Sequence, residues 1–546
     1  MRTQTGIGLM RRLNLGLVFA CLFPACSVRT VEAAGPPNIV IILADDLGFS
    51  DLGCYGGEIP TPNLDCLAAH GLRFTQFYNT ARCWPSRAAL LTGYYPQQVN
   101  RDPAGQRPAW AALLPQLLKP AGYRSYHSGK WHVDGKALDA GFQRSYRVDD
   151  LGDFFAPPIH LLDDQPLPRP PQDGSYYSTR AIADHAVRWL AEHQANHRTK
   201  PFFLYVPFTA PHFPLQALAE DIERHRHDYS EGWDVIRERR WKRQKSLGIF
   251  DGPLPPPDPS IIPGWNLKEA ELQKRINPGE VGNAVAWNTL AAAQKAFQPI
   301  KMAIHAAMVD RMDREIGRIL AQLESMNAIQ NTIVLFASDN GASAEQIIRS
   351  GGHDPAASPG SSKTYLCIGP GWATAANTPF RLHKHYVHEG GISTPLIVSW
   401  PNGIKDQGKL RHTQGHLIDL VPTLLQLADV SAPETWNGQK RPPLPGRSLV
   451  PAFGSDHNIP RDLIYFSHEG NRALRVGDQK IVAVGKSGEW ELYDLARDRC
   501  EMHNIADEQP ETVKKLSETW RQLDKEFRTQ GRTGPRMNEA TPEKKP

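Results

Sequence analysis

Five runs of apolar, β-branched or aromatic residues recur along the chain, and each gives way to a short polar cluster. They are NIVIILADD (38–46), GYRSYHSGKWH (122–132), PFFLYVPFTAPH (201–212), NTIVLFASDNG (331–341) and TPLIVSWP (394–401). Stretches such as IVIIL and TIVLF show no polar alternation, the pattern of strands buried on both faces of a largely parallel sheet. Between them apolar positions return at spacings of three and four, over 180–193 and over MAIHAAMVDRMDREIGRILAQL at 302–323, which predicts helices. Strands alternating with helices predict an α/β fold. Beyond residue 430 the pattern changes to short runs broken by turns, as in RALRVGDQKIVAVGKSGEWELYDL, followed by a polar helical stretch at 510–527. This predicts a smaller antiparallel sheet with a helix over 431–529, then a disordered tail at 530–546. The Pro-rich stretches 157–171 and 251–259 read as long surface loops within the larger domain, 34–430.

In open α/β sheets, ligands collect beyond the carboxyl ends of the strands. Asp45 and Asp46, Lys130 and His132, His212, and Asp339 and Asn340 all lie just past such ends. Lys384, in TPFRLHKHYVHEGG, comes just ahead of the last run. Residues far apart in sequence are therefore expected to share one crevice.

Composition narrows the setting. Arg11 and Arg12, the apolar run LNLGLVFACLF and the small-residue stretch VEAAG have the three-part grammar of a secretory signal peptide, so 1–33 is set aside from the fold. The apolar run is too short for a bilayer span, and no later run spans either; lipid attachment at Cys26 is a minor alternative. The formal charge of +4 falls to about +1 once that segment leaves, which removes the electrostatic case for nucleic acid. Five cysteines then remain, Cys54, Cys66, Cys83, Cys367 and Cys500. In an oxidising compartment an odd number leaves at least one unpaired or chemically special. The chain has no Asn-x-Ser/Thr acceptor, which favours a bacterial periplasm or exterior. Residues 237–245, RERRWKRQK, carry six basic positions against one acidic. They read either as a solvated helix face or as a cationic lip for a polyanionic substrate.

The candidate chemistry centres on ARCWPSRAALLTG at 81–93. Pro85 suits a helix start and Gly93 a helix end, which puts Cys83 and Arg87 at a helix N-terminus, a place suited to an anion. Asp45, Asp46, Asp339 and Asn340 offer hard oxygen donors of the kind calcium or magnesium takes. Arg87, Lys130 and Lys384 supply fixed positive charge, and His132 and His212 titratable imidazoles. Together they describe a site for a tetrahedral oxyanion ester.

At this point the chain resembles a known family. CWPSRAALLTG closely resembles the type I sulfatase signature, and NIVIILADDLGFSDLGCYGG, GKWH, TAPHFP, FASDNGA, EGGISTPLIVSWP and WELYDL continue the match in family order over nearly all of the mature chain. The resemblance implies an alkaline-phosphatase-like fold: a mixed, mostly parallel sheet flanked by helices, with the smaller C-terminal antiparallel sheet plus helix. It implies an exported sulfatase acting on an aryl or carbohydrate sulfate. Cys83 would be converted to formylglycine by a formylglycine-generating or anaerobic sulfatase-maturing enzyme. One calcium ion would be held by Asp45, Asp46, Asp339, Asn340 and the modified Cys83. Arg87 and Lys130 would hold the modified residue and the sulfate oxygens, His132 would be the base in sulfate release, and His212 and Lys384 would serve the leaving oxygen. Leu382 and His383 stand where the family often has glycines, His388 where smaller residues are common, and Trp84 is large for its position. The competing functions are phosphate or phosphonate ester hydrolysis, and an inactive fold that binds sulfated glycans.

Overall fold

The computed structural model describes residues 35–149, 152–349 and 352–537; the proposed signal segment lies outside them. All five apolar runs form strands, Asn38–Ala44, Arg124–Gly129, Phe202–Pro207, Thr332–Ser338 and Ser393–Ser399. Side chains alternate across a strand, and both sides of the first one are buried. Val40, Ile42 and Ala44 pack into the layer formed by helices Ser178–His197 and Ala292–Ser325. Ile39, Ile41 and Leu43 face the layer containing Leu90, Leu91, Leu420 and Leu424. Each fully buried aliphatic side chain contributes about 1.5–3 kcal/mol relative to exposure, which explains the absence of polar alternation.

In the main sheet the order across the middle is Leu72–Tyr78, Ser393–Ser399, Thr332–Ser338, Asn38–Ala44, Phe202–Pro207, Arg124–Gly129, Arg144–Val148. The last five of these pair in parallel, whereas Ser393–Ser399 runs antiparallel to both its neighbours. That reversal has a direct consequence for the site. The residues preceding Ser393–Ser399, Lys384 among them, lie at the same edge as the residues following the parallel strands.

The smaller sheet is antiparallel, Ile464–His468, Asn471–Val476, Gln479–Ala483 and Glu491–Asp494 in order. It shares an apolar layer with the main sheet through Tyr465, Leu474, Ile481 and Leu492, and Leu516 and Phe527 of the last helix join that layer. This helix runs over Pro510–Arg532. The chain beyond it is held by backbone bonds from Ala109 to Pro535 and from Met537 to Arg107. The tail expected to be disordered from 530 is thus structured through Met537. No helix among the described residues is long and apolar enough to cross a membrane.

The basic run lies on helix Trp233–Ser246, with its six cations divided between the interior and the surface. Arg237 and Arg240 are buried; Arg240 pairs with Asp51 and Glu58, each at 2.7 Å. Arg239, Lys242, Arg243 and Lys245 are exposed; Arg239 and Lys242 are matched to Glu231 and Glu238 at 2.6 Å, and Lys245 lies 3.7 Å from Asp251. Much of the charge in RERRWKRQK therefore ties the helix to the body of the protein.

Candidate active site

Helix Cys83–Thr92 begins two residues before Pro85, so Cys83 itself occupies the first helical position. Gly93 ends the helix in the left-handed conformation, φ 78°, with its N–H donated to the Ala89 carbonyl. Ser86 Oγ accepts the Thr80 N–H at 3.0 Å, pinning the turn that leads into Cys83. The helix is buried along its length except at Trp84. Its N-terminus, with Cys83 almost wholly buried, therefore points into the crevice at the strand ends. The five cysteines among the described residues form no disulfide.

The expected acids and cations converge there. Arg87 reaches across with Nε and Nη2 to Asp339 Oδ2, at 3.0 and 2.7 Å, and donates Nη1 to the Lys130 carbonyl. Lys130 Nζ lies 2.6 Å from Asp45 Oδ2. Asn340 Nδ2 donates to Asp46 Oδ1 at 2.7 Å, and Lys384 Nζ lies 2.8 Å from that same oxygen. His212 Nδ1 donates to the Phe213 carbonyl, which turns Nε2 toward Asp46 Oδ2 at 3.6 Å. Asp46 and His132 both adopt left-handed backbone, φ 67° and 49°, a conformation disfavoured for residues bearing a Cβ and concentrated at functional sites. His132 stands 5.9 Å, ring to ring, from Trp84.

The electrostatics are those of a buried anion-binding centre. Burial and the neighbouring Asp45 charge push the Asp339 carboxyl well above the usual range, although Arg87 pulls it down. Burial opposes the charge on Arg87, but Asp339 and Asp45 overcome it and hold the guanidinium protonated. Lys384 behaves alike: burial works against its ammonium, and Asp46 and Glu345 raise it above its ordinary value.

Three buried acids in one cluster, with an amide oxygen beside them, fit a hard divalent cation. Asn340 Oδ1 is buried and accepts no hydrogen bond, while the Nδ2 contacts to Asp46 and to the Gly341 carbonyl fix the orientation of the amide. Ligating atoms of Asp45, Asp46 and His212 also fall within 4.8 Å of one another. An oxygen-liking ion seated here would lower the cost of keeping Asp45 and Asp339 both ionised.

Glu345 is a site residue that motif reading missed. It lies 3.2 Å from both Lys384 and Arg82 and accepts the Trp265 indole N–H at 3.0 Å. Burial opposes its charge, but Lys384 and Arg82 hold its carboxyl well below the ordinary range. The departures at the leaving-group end also find places. His388 is turned to Glu491 of the small sheet at 3.2 Å. His383 is kept neutral by burial, its pKa lowered to about 4. Trp84 stands edge-on to His468 at 5.5 Å, with the Arg82 guanidinium over its ring.

A mostly parallel α/β sheet with a buried nucleophile position, a cationic ring and an acidic cluster at one edge defines a hydrolase of the alkaline-phosphatase-like class. Comparison with known proteins is specific: the sulfatase family model matches residues 37–430, and that of the N-sulphoglucosamine sulphohydrolase C-terminal region matches 380–529. The chain belongs to the sulfatase family and is a sulfuric ester hydrolase. It is 32% identical to an uncharacterized sulfatase of Schizosaccharomyces pombe, over 89% of this chain and 92% of that one. It is 30% identical to an arylsulfatase of Klebsiella aerogenes, over 75% and 90%. A solved structure bound to its substrate D-glucosamine-2-N,6-O-disulfate superposes with a TM-score of 0.60 at 22% identity, covering 90% of this chain and 98% of the other. At that identity the likeness speaks for the fold.

Proposed function

We propose that this protein is an exported sulfatase that removes sulfate esters from carbohydrates, using a formylglycine made from Cys83 by a maturation enzyme and one calcium ion. The observation that carries the carbohydrate reading is a cavity of about 790 Å³ whose lining includes Asp153, Arg169, Arg349, His353, Lys363 and Tyr365. It borders the leaving-group end of the site, because Arg349 and Lys384 both lie over the ring of Phe213, at 5.2 and 5.3 Å, and Phe213 stacks on His212. A cavity with several hydrogen-bonding and cationic groups suits a hydroxylated, anionic sugar better than an aryl ring. Export rests on the grammar of residues 1–33.

A formylglycine at position 83 supplies a geminal diol. One hydroxyl would accept the sulfuryl group, its proton balancing the one the departing sugar oxygen gains, and deprotonation of the other would expel sulfate and leave the aldehyde, which water would hydrate again. The chain's own groups then have distinct tasks. Arg87 and Lys130 hold position 83 and the sulfate oxygens. His212 Nε2 and Lys384 face the departing alcohol oxygen, to which a proton must be delivered. His132 accepts the proton of the second hydroxyl when sulfate leaves. Calcium, held by Asp45, Asp46, Asp339 and Asn340, would supply positive charge against the sulfate oxygens.

Release of inorganic sulfate from a panel of sulfated mono- and oligosaccharides, beside an aryl sulfate and an aryl phosphate, tests this reading. It expects the best saccharide to exceed the aryl sulfate in kcat/KM. An aryl sulfate turned over faster than every saccharide would refute the carbohydrate assignment.

A further inference from the structure

A second cluster of metal-ligating side chains lies outside the oxygen-rich site. His468 ends strand Ile464–His468, and Glu469 and Gly470 form the two-residue turn to Asn471–Val476, both with positive φ, 47° and 95°. His385 comes from the loop bearing Lys384 and is held with φ 86° by its N–H to the Ala81 carbonyl and by Asn471 Nδ2 on its own carbonyl. Three separate constraints thus bring two imidazoles and a carboxylate together. One ligating atom from each lies within 4.8 Å of the other two.

The nitrogens facing this point are unsatisfied. His385 Nδ1 and His468 Nε2 are both buried and neither makes a hydrogen bond, although His385 is only 8% exposed and His468 not at all. Buried polar atoms are nearly always hydrogen-bonded, so two orphans aimed at one spot call for a ligand. Glu469 Oε2 lies 3.3 Å from His385 Nδ1 and 3.8 Å from His468 Nε2. Bonds of about 2.0–2.2 Å in a tetrahedron separate their ligands by about 3.3–3.6 Å, so the carboxylate and imidazoles already stand near the edges of such a shell. The tautomer of His468 is suitable as well. Its Nδ1–H donates to Asp102 at 3.2 Å, which leaves the Nε2 lone pair facing the cluster. Carboxylate behind imidazole is the usual outer support of a metal-bound histidine. Burial, with the Arg82 charge nearby, lowers the His385 pKa to about 3 and keeps that ring neutral.

We infer that His385 Nδ1, His468 Nε2 and the Glu469 carboxylate form a second cation site, taking a divalent transition metal of the zinc type. Two nitrogens and one oxygen suit zinc rather than the calcium expected at the all-oxygen cluster. The Glu469 side chain is 45% exposed, which gives an ion a route in. A bound ion would clamp the Lys384 loop to the C-terminal hairpin, beside the Trp84 ring that packs on His468.

The test uses the full chain, stripped with chelator and reloaded with calcium, then titrated with Zn²⁺ and separately with Co²⁺. Wild type is expected to bind one equivalent of zinc, to gain the visible absorption of four-coordinate cobalt, and to melt at a higher temperature with zinc. Glu469→Gln and His385→Asn, each checked for wild-type circular dichroism in chelator, are expected to weaken zinc by at least about tenfold. They should also lose the cobalt band. Asp339→Asn, altered only at the calcium cluster, should bind zinc as wild type does. Absence of saturable zinc in wild type, equal zinc affinity in folded Glu469→Gln and His385→Asn, or loss of zinc in Asp339→Asn would each overturn the assignment.

Discussion

Replacing Glu345 by Gln removes the carboxylate that lies 3.2 Å from both Lys384 and Arg82 while keeping the side-chain shape. Lys384 keeps its contacts to the Asp46 oxygens at 2.8 and 2.9 Å, so it stays charged and near its place. What it loses is one charge-assisted contact, and such contacts contribute about 1.5–3 kcal/mol. If Lys384 serves the leaving oxygen, that loss appears as charge develops there, in kcat more than in KM. The expected fall in kcat/KM is therefore about 10- to 150-fold. Steady-state kinetics on an aryl sulfate measures it, with the mass of the Cys83 peptide confirming equal maturation. A change under about threefold would show that Lys384 is positioned without Glu345. The same variant has a signed pH signature. Because the Glu345 carboxyl is depressed below its ordinary value of 4.5, its stabilising contribution is fully present above that pH and is lost only as pH falls through the lower folded value. The melting-temperature gap between wild type and Glu345→Gln should be full at neutral pH and close in strong acid.

Arg240→Ala leaves Asp51 wholly buried beside the Gly48 N–H at 2.9 Å and His305 at 3.0 Å, and should cost about 3–5 kcal/mol of stability by urea unfolding; kcat of the folded fraction should not change. Asp339→Asn should lose bound calcium and turnover together, read by metal analysis and assay, with the circular dichroism spectrum retained because the residue sits at the sheet's rim. In protein co-expressed with a maturation enzyme, the tryptic peptide containing Cys83 should be about 18 Da lighter than encoded, and active protein carrying only thiol there would count against the proposed chemistry. Exposed Cys66 should react with a thiol reagent in the native state, whereas Cys367, buried and raised to about 12, should react only on unfolding.

What was legible in the sequence was whatever lies immediately beyond a buried strand. IVIIL and TIVLF announce their burial by composition, so Asp45, Asp46, Asp339 and Asn340 could be placed at one edge before any coordinates. Lys384 was legible for a subtler reason, since it precedes a strand and reaches the same edge only because Ser393–Ser399 runs antiparallel. Glu345 was not legible: it sits in an irregular stretch past Asn340, and its role exists only through Arg82 and Lys384 in space. Nor could RERRWKRQK reveal its direction, because the acids that draw Arg240 inward, Asp51 and Glu58, lie far earlier in the chain. The helix start at Cys83 was displaced toward Pro85 because proline marks the first turn without specifying which position in it.

The central claim is that sulfate ester hydrolysis runs through position 83. Its most direct measurement is sulfate release from one sulfate ester by matured wild type and by Cys83→Ala, with the corresponding phosphate ester run in parallel. Turnover confined to wild type and strongly favouring sulfate is the predicted result. Equal sulfate release by Cys83→Ala, or phosphate as the better substrate, would contradict it.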